Sequence, residues 1–159
     1  MPRSEQVPRP VARAWSHETV AILEAGEYRV GEQHVVFRDD LAAAVAGTRS
    51  YPPNAAVAGW HGVAAGCEIS VVNDTTLASG LRLGQAGFNP VALNFASATS
   101  PGGGFLSGAR AQEESLAWSS GLYATLRDNP MYPFHQRQAD PLYSDYMVYS
   151  PSVPVISRR

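Results

Sequence analysis

The order of predicted elements indicates an α/β domain in which a mixed β-sheet is flanked by helices. Two apolar segments of strand length, residues 68–73 and 90–96, each precede a segment with helical periodicity, residues 75–86 and 111–127. A last short strand is predicted at 146–149. Because strands that alternate with helices usually lie side by side in parallel, we expect some parallel pairing in this sheet.

The first third of the chain has a different pattern and is predicted to be an extension. Residues 1–15 contain three prolines and no periodicity, which predicts an irregular arm. A helix is predicted at 16–24, two short strands at 27–30 and 34–38, a second helix at 41–46 and an extended linker at 48–54. We therefore expect an N-terminal extension at 1–54, made of an arm, short helices and a small hairpin, before the main domain at 55–159.

Composition narrows the class of protein. The chain is 45% hydrophobic and 16% charged, which is typical of a globular domain. With a formal net charge of −2 and no basic stripe, direct nucleic-acid binding is not expected, although backbone N–H groups can hold a pyrophosphate without adding charge.

Cys67 is the only cysteine and is predicted to be buried. No segment has the length of a signal peptide or a membrane span, so we expect a cytoplasmic location and no membrane contact.

Three consecutive glycines after a predicted buried strand form the most informative segment. Residues 94–104 read NFASATSPGGG. Glycine loses the most backbone entropy on folding, so such a run is tolerated where the backbone must turn with positive φ or approach something closely. At the carboxyl end of a strand in an α/β sheet, a ligand is often what it approaches, and exposed N–H groups there suit a diphosphate. A plain flexible loop explains the same residues equally well.

Gln112, Glu113 and Glu114 begin the next predicted helix. Acidic residues stabilise helix N-termini by offsetting the macrodipole, which is a sufficient structural explanation for them. Two adjacent residues on a helix point about 100° apart, so the two glutamates are expected to do different jobs. One of them is suited to hold a substrate hydroxyl, while the other exchanges the proton that cleavage of a glycosidic bond requires.

Three glycines, a seven-residue spacer and Gln-Glu-Glu resemble the signature of poly(ADP-ribose) glycohydrolases. The flanking sequences resemble the bacterial-type members from about Asn73 to Val155. The matching stretches are 94–97, 105–106, 115–116, 119–123, 141–143 and 149–155. The resemblance implies a macrodomain-like core that binds ADP-ribose and hydrolyses the ribose–ribose O-glycosidic bond of poly(ADP-ribose). It also implies a reaction that needs no metal or other cofactor.

The resemblance also implies roles for individual residues. Glu114 protonates the leaving ribose oxygen and then activates water, while Glu113 holds ribose hydroxyls near the scissile bond. The other residues implied to bind substrate are Gly102, Gly103, Gly104, Phe105, Gln112, Asn94 and Ser97, with the glycines near the diphosphate and Phe105 lining the pocket. His135 lies in a polar stretch, residues 132–140, and is expected to face solvent.

Members of this family continue well beyond the segment that matches residues 151–155. We therefore expect the C-terminal part of the macrodomain-like core to be missing here, with the chain completed by a second chain. A truncated form that folds poorly and a compact variant that closes its core differently are the alternatives. Without further strands, the apolar segment at 91–96 would be left with an unpaired edge.

Two other functions compete with hydrolysis of the polymer. One is a non-catalytic module that binds ADP-ribose without turnover, and the other is a hydrolase that removes single ADP-ribose groups. In each case the expected partners are poly(ADP-ribose) or ADP-ribose and ADP-ribosylated proteins. The Gln-Glu-Glu triplet favours an O-linked ribose as the leaving group, and hence the polymer.

Overall fold

Helices and short antiparallel strand pairs make up the protein, which confirms the α/β class. The computed structural model describes residues 7–55, 66–140 and 142–156. In chain order the elements are α1 (Arg9–Ala25), β1 (Glu27–Val30), β2 (Gln33–Val36), α2 (Arg38–Gly47), β3 (Arg49–Tyr51), α3 (Thr76–Gln85), a 3₁₀ turn (Phe105–Ser107), α4 (Gln112–Trp118), α5 (Leu122–Leu126), α6 (Met131–Gln136) and β4 (Met147–Tyr149). None of the described helices has the length and apolar character needed to cross a bilayer.

The first helix begins seven residues earlier than predicted, at Arg9 instead of Ser16. The prediction of an irregular arm is therefore wrong for residues 9–15. Pro10 lies in the first turn of α1. Proline is favourable there because backbone N–H groups in the first turn have no acceptor within the helix, and because its fixed φ is close to the helical value. The predicted end is confirmed, because Gly26 adopts φ 69° and its N–H donates to the Ile22 carbonyl.

The two strand pairs are both antiparallel. The predicted hairpin is confirmed, since β1 pairs with β2 from Glu27–Val36 to Val30–Gln33. The predicted linker instead contains β3, which pairs with β4 from Arg49–Tyr149 to Tyr51–Met147. This pairing ties the N-terminal third to the C-terminal end of the described chain. The domain boundary at residue 54 stays a prediction, because residues 56–65 lie outside the part that the structure describes, as does Pro141.

The two apolar segments predicted as strands, residues 68–73 and 90–96, form no strand in the described residues, and no parallel pair is present there. Nearly all of their side chains are exposed. Cys67, predicted to be buried, is exposed next to the first of them. The physical reason is that a strand is defined by its neighbours: β-propensity supplies an extended backbone but not the hydrogen-bonding partner.

The helix predicted at 111–127 is split into α4 and α5. Between them, Ser120 forms an antiparallel bridge with Val155. Gly121 N donates to the Pro154 carbonyl at 2.8 Å, and Ile156 N donates to the Ser119 carbonyl at 2.9 Å. Tertiary hydrogen bonds to residues 154–156 thus replace one helical turn and fix the direction in which α4 points.

Helix α1 is fastened to the elements that carry the glutamates by two buried hydroxyls. Ser16 Oγ donates to the Phe105 carbonyl at 2.6 Å, and Thr19 Oγ1 donates to the Trp118 carbonyl at 2.7 Å. Both side chains are fully buried. Around them packs a core cluster that contains Val7, Ala12, Phe105, Ala117 and Trp118. The N-terminal helix therefore supports the 3₁₀ turn and α4 directly.

Replacing Thr19 with valine tests this anchor. Valine has nearly the same shape but no donor, so the Trp118 carbonyl loses a buried hydrogen bond. We expect the free energy of unfolding to fall by about 1–3 kcal/mol, measured by urea denaturation. Thr125→Val is the matched control, since the buried Thr125 hydroxyl donates to Leu122 O of its own helix. Equal losses in the two variants would contradict a special role for the contact between α1 and α4.

Candidate active site

The glycine-rich loop and the N-terminal turn of α4 meet through hydrogen bonds between backbone amides and carboxylates. Ser97 N donates to Glu113 Oε2 at 2.7 Å, and Gly104 N donates to Glu114 Oε1 at 2.9 Å. The two glutamates come from the first turn of α4, and both are almost fully buried. The structure therefore brings together the glycine run and the Gln-Glu-Glu triplet, which the sequence separates by seven residues.

Glycine is required in this loop for a steric reason. Gly102 and Gly103 adopt φ values of 68° and 61°, which side-chain-bearing residues rarely adopt. A Cβ on Gly103 would lie 2.5 Å from Glu114 Oε1 and 2.9 Å from Glu113 Oε2. The absent side chain is what allows the two carboxylates to approach the loop backbone. The N–H of Gly103 itself donates to the Ser100 carbonyl within the loop.

Glu113 is the more fully engaged of the two carboxylates. Besides the bond from Ser97 N, its Oε1 lies 3.5 Å from Asn94 Nδ2. Burial raises the pKa of Glu113 above its ordinary value of 4.5, and the neighbouring charge of Glu114 acts in the same direction. The hydrogen bonds from Ser97 and Asn94 oppose this increase but do not cancel it.

Glu114 keeps one oxygen without a partner. Its Oε1 accepts the bond from Gly104, while Oε2 is buried and has no hydrogen bond. Among the described residues, Asn94 Oδ1 and the Tyr132 hydroxyl are in the same condition. Burial raises the pKa of Tyr132, and the charge of Glu113 raises it further. The Tyr132 hydroxyl is therefore neutral and can donate a hydrogen bond. Because buried polar groups are rarely left unpaired, these three atoms indicate where the polar groups of a ligand belong.

Gln112 and Phe105 occupy supporting positions. Gln112 Nε2 donates to the Leu93 carbonyl at 2.7 Å, and its Oε1 accepts from Phe95 N at 3.0 Å, so its amide is engaged by the backbone of the preceding segment. Phe105, implied to line the pocket, is instead completely buried, with its ring centroid 4.7 Å from that of Tyr123. The ring packs closely against the glycine loop, since a Cβ on Gly102 would lie only 3.0 Å from it.

His135 was expected in solvent, and that prediction is wrong. It is 2% exposed and lies in α6, a helix that the preceding Pro130 could have signalled. Its Nδ1 lies 3.1 Å from the Ala98 carbonyl, which can only accept, so Nδ1 carries the proton; Nε2 lies 2.8 Å from Ser144 Oγ. Gln136 Nε2 donates to the Thr99 carbonyl at 2.7 Å. The end of α6 therefore holds the loop at residues 98 and 99.

No group of three or more histidine, cysteine, aspartate and glutamate side chains is arranged for a metal ion within the described ranges. The chemistry available at this site is that of two buried carboxylates, a phenol and an amide. A carboxyl group with one free oxygen can exchange a proton with a substrate oxygen, and its neighbour can accept hydrogen bonds from hydroxyls.

Replacing Gly103 with alanine tests the close approach of loop and carboxylates. Gly31→Ala is the matched control, because Gly31 has nearly the same φ, 58°, with nothing within 4 Å of the added Cβ. Both variants suffer left-handed backbone strain of roughly 1–2 kcal/mol. Only Gly103→Ala also displaces the carboxylates, so we expect its free energy of unfolding to fall by about 1–3 kcal/mol more. Equal losses in urea denaturation would contradict the steric argument.

The raised pKa of Glu113 predicts a pH dependence of stability. Above pH 4.5 the folded protein holds this proton more tightly than the unfolded chain, so the stability that it contributes is lost as pH rises through the folded-state pKa. Glu113→Gln carries no titrating proton there. We therefore expect the free energy of unfolding of Glu113→Gln, minus that of the unsubstituted protein, to be larger at neutral pH than at pH 4.5. Urea denaturation at the two pH values measures this difference. Glu32→Gln, at the exposed turn between β1 and β2, is the control, and a parallel pH profile for Glu113→Gln would contradict the prediction.

Comparison with known proteins identifies the family. A family model described as "Microbial-type PARG, catalytic domain" matches residues 16–158. The crystal structure of poly(ADP-ribose) glycohydrolase (PARG) from Thermomonospora curvata is 53% identical, with a TM-score of 0.84 over 91% of this chain and 56% of that one. A structure of the enzyme from the same organism bound to the inhibitor ADP-HPD is 51% identical, with a TM-score of 0.79 over 91% of this chain and 54% of that one. No curated protein matches the chain.

The chain spans little more than half the length of these solved structures. The match to the family model begins within α1 and includes both the glycine loop and the glutamates. With the family match covering most of its residues, the chain belongs to the microbial-type poly(ADP-ribose) glycohydrolases.

Proposed function

We propose that this chain carries the hydrolytic centre of a poly(ADP-ribose) glycohydrolase and acts on ribose–ribose O-glycosidic bonds to release ADP-ribose. One observation carries the proposal: Glu114 is fixed by Gly104 N through one oxygen, while its other oxygen is buried and free. A proton donor for a leaving oxygen needs this combination of fixed orientation and an available atom. Membership of the glycohydrolase family supports the choice of substrate.

Glu114 acts as the acid and base of the reaction. Its Oε2 delivers a proton to the ribose oxygen that leaves, while the bond from that oxygen to the anomeric carbon breaks and an oxocarbenium-like centre develops. The same carboxylate then removes a proton from water as the water oxygen attacks that centre. The bond from Gly104 N keeps Oε1 out of the exchange, so that protonation is directed to one oxygen.

Glu113 holds ribose hydroxyls near the scissile bond. Its carboxylate is oriented by Asn94 and Ser97, which suits a positioning group better than a group that must gain and lose a proton. The side-chain amide oxygen of Asn94 and the Tyr132 hydroxyl complete a polar lining for the sugar. Gly102, Gly103 and Gly104 let the loop approach the distal ribose and diphosphate, while Gln112 and Phe105 hold the surrounding backbone in place.

The partners we propose are poly(ADP-ribose), proteins that carry ADP-ribose, and a further polypeptide with the rest of the catalytic domain, acting in the cytoplasm. The T. curvata enzyme is covered over 56% of its chain. We also propose that residues 55–159 form the catalytic part and that the extension at 1–54 supports it through α1.

Replacing Glu114 with glutamine tests the reaction. Glutamine retains an acceptor for Gly104 N but cannot exchange a proton, so we expect release of ADP-ribose from poly(ADP-ribose) to fall at least about 10²-fold. The measurement is chromatographic, on the chain alone and on the chain co-expressed with the portion of the T. curvata enzyme that it does not cover. Affinity for ADP-ribose, measured by calorimetry, should be largely retained.

Glu32→Gln serves as the control for this substitution, since that side chain lies on an exposed turn. Full activity of Glu114→Gln would overturn its assigned role. Binding of ADP-ribose without product from either preparation would establish a binding module in place of an enzyme. Product from proteins bearing single ADP-ribose groups, with none from the polymer, would identify a mono-ADP-ribosyl hydrolase.

A further inference from the structure

The loop at residues 97–100 directly precedes Pro101 and the three glycines, and it supplies a donor to Glu113. Ser97 N donates to Glu113 Oε2 at 2.7 Å. The Ser97 hydroxyl accepts from Ser100 N at 3.1 Å, so the two ends of the loop are bonded to each other. An interaction that fixes the backbone of this loop therefore also fixes the position of the Ser97 amide relative to Glu113.

Two side chains of α6 hold the carbonyls in the middle of this loop. His135 Nδ1 donates to the Ala98 carbonyl at 3.1 Å, and Gln136 Nε2 donates to the Thr99 carbonyl at 2.7 Å. His135 is 2% exposed, whereas Gln136 is exposed. Water can replace a lost hydrogen bond at an exposed side chain but not at a buried one, so His135 is the stronger constraint. Because Ala98 follows Ser97 directly, this constraint acts on the backbone next to the Ser97 amide.

The imidazole of His135 is itself held in one orientation. Its Nε2 lies 2.8 Å from Ser144 Oγ. Since the Ala98 carbonyl can only accept, Nδ1 carries the proton and Nε2 accepts from the Ser144 hydroxyl. Both nitrogens are engaged, so neither is available to exchange a proton with a substrate. Three aromatic rings lie around the imidazole at centroid distances of 5.2, 5.3 and 6.0 Å, those of Phe134, Tyr143 and Tyr146.

Packing alone does not require a histidine at this position. Phenylalanine would fill much the same space among the aromatic rings without burying polar atoms, and burial of a polar ring costs free energy unless its nitrogens are bonded. What the imidazole adds is a fixed donor for the Ala98 carbonyl. The hydrogen bond to the loop, and not the shape of the ring, is therefore the feature that distinguishes His135 from an apolar core residue.

We propose that His135 is a positioning residue for the glycohydrolase reaction: held by Ser144, it fixes the Ala98 carbonyl and thereby keeps the Ser97 amide directed at Glu113. The proposal rests on the proposed function, in which Glu113 holds ribose hydroxyls near the scissile bond. The path from α6 to the carboxylate consists of hydrogen bonds, from Ser144 to His135, from His135 to the loop and from the loop to Glu113. His135 acts on the reaction only through this path.

The path matters because Glu113 is almost fully buried. A buried carboxylate that loses a donor does not gain water in its place, so it turns toward the donors that remain. Ribose hydroxyls bound by Glu113 would then shift relative to Glu114. A misplacement of about 1 Å can lower a rate by about 10²-fold. His135 therefore influences the rate through geometry and not through proton transfer.

Hydrogen exchange of the Ser97 amide measures the positioning step without substrate. His135→Phe retains a ring but loses both hydrogen bonds, so we expect this amide of the 159-residue chain to exchange about tenfold faster or more, measured by NMR. In His135→Asn the side-chain amide nitrogen takes the position of Nδ1, and we expect most of the protection to return. Thr125→Val is the control, since it removes a buried hydrogen bond within α5 and should leave the exchange of Ser97 unchanged.

The kinetics of ADP-ribose release measure the consequence for the reaction. We expect the kcat of His135→Phe on poly(ADP-ribose) to fall about tenfold or more, and that of His135→Asn to recover most of the loss. Ser144→Ala keeps the donor to Ala98 and frees only the ring, so its kcat should lie between those of the unsubstituted protein and His135→Phe. Circular dichroism checks the folding of each variant, and Ser144→Ala takes the place of His135→Phe in both measurements if the latter does not fold.

The remaining outcomes separate the positioning role from general stability and from the proposed function. Unchanged exchange of Ser97 in His135→Phe overturns the proposal, as do equal acceleration in Thr125→Val and a lack of recovery in His135→Asn. Faster exchange with an unchanged kcat overturns the role of His135 in the reaction while the proposed function stands. Because exchange is measured without substrate, faster exchange together with no product from the unsubstituted protein contradicts the proposed function and leaves the positioning of Ser97 by His135 intact.

Discussion

Two hydrogen bonds from backbone amides to carboxylates, Ser97 N to Glu113 and Gly104 N to Glu114, are the interactions on which the rest of the site depends. They require a loop without a side chain at Gly103, because a Cβ there would occupy the position of the carboxylates. They also require that the loop and α4 keep their relative position. Helix α1 supplies this through the Ser16 and Thr19 hydroxyls, which donate to carbonyls of the 3₁₀ turn and α4. Helix α6 supplies it through His135 and Gln136, which bond the Ala98 and Thr99 carbonyls.

This arrangement explains how two adjacent buried glutamates can differ in role. Carboxylates in an apolar, enclosed place repel each other and lose hydration, which is what raises the pKa of Glu113. Hydrogen-bond donors replace the lost hydration to different extents at the two residues. Glu113 accepts a hydrogen bond at each oxygen, while Glu114 keeps one oxygen free. The side-chain amide oxygen of Asn94 and the Tyr132 hydroxyl are also buried without a hydrogen bond. The protein has thus left three buried polar atoms without a partner that polar groups of a ligand could satisfy.

Burial is unevenly distributed in the described chain. The clusters around Phe105, Leu23 and Leu126 are well buried. By contrast, α3 has no buried residue, and the segments on either side of it are exposed. The boundary between these regions is Asn94 with its neighbours, held to α4 by Gln112. The donors that orient Glu113 therefore lie at the edge of the well-buried part of the described chain.

The sequence by itself determined the local features: the stop of α1 at Gly26, the hairpin around Gly31, and the family signature that joins the glycine run to Glu113 and Glu114. These depend on one residue and its near neighbours. Only the tertiary structure decided the features that depend on distant partners. Ser120 pairs with Val155 and so interrupts a helix that periodicity favoured. His135 is buried because Ala98 lies beside it, and Phe105 turns into the core because α1 packs there. Residues 68–73 and 90–96 have the composition of strands yet form none, since a strand needs a neighbour that local sequence cannot provide.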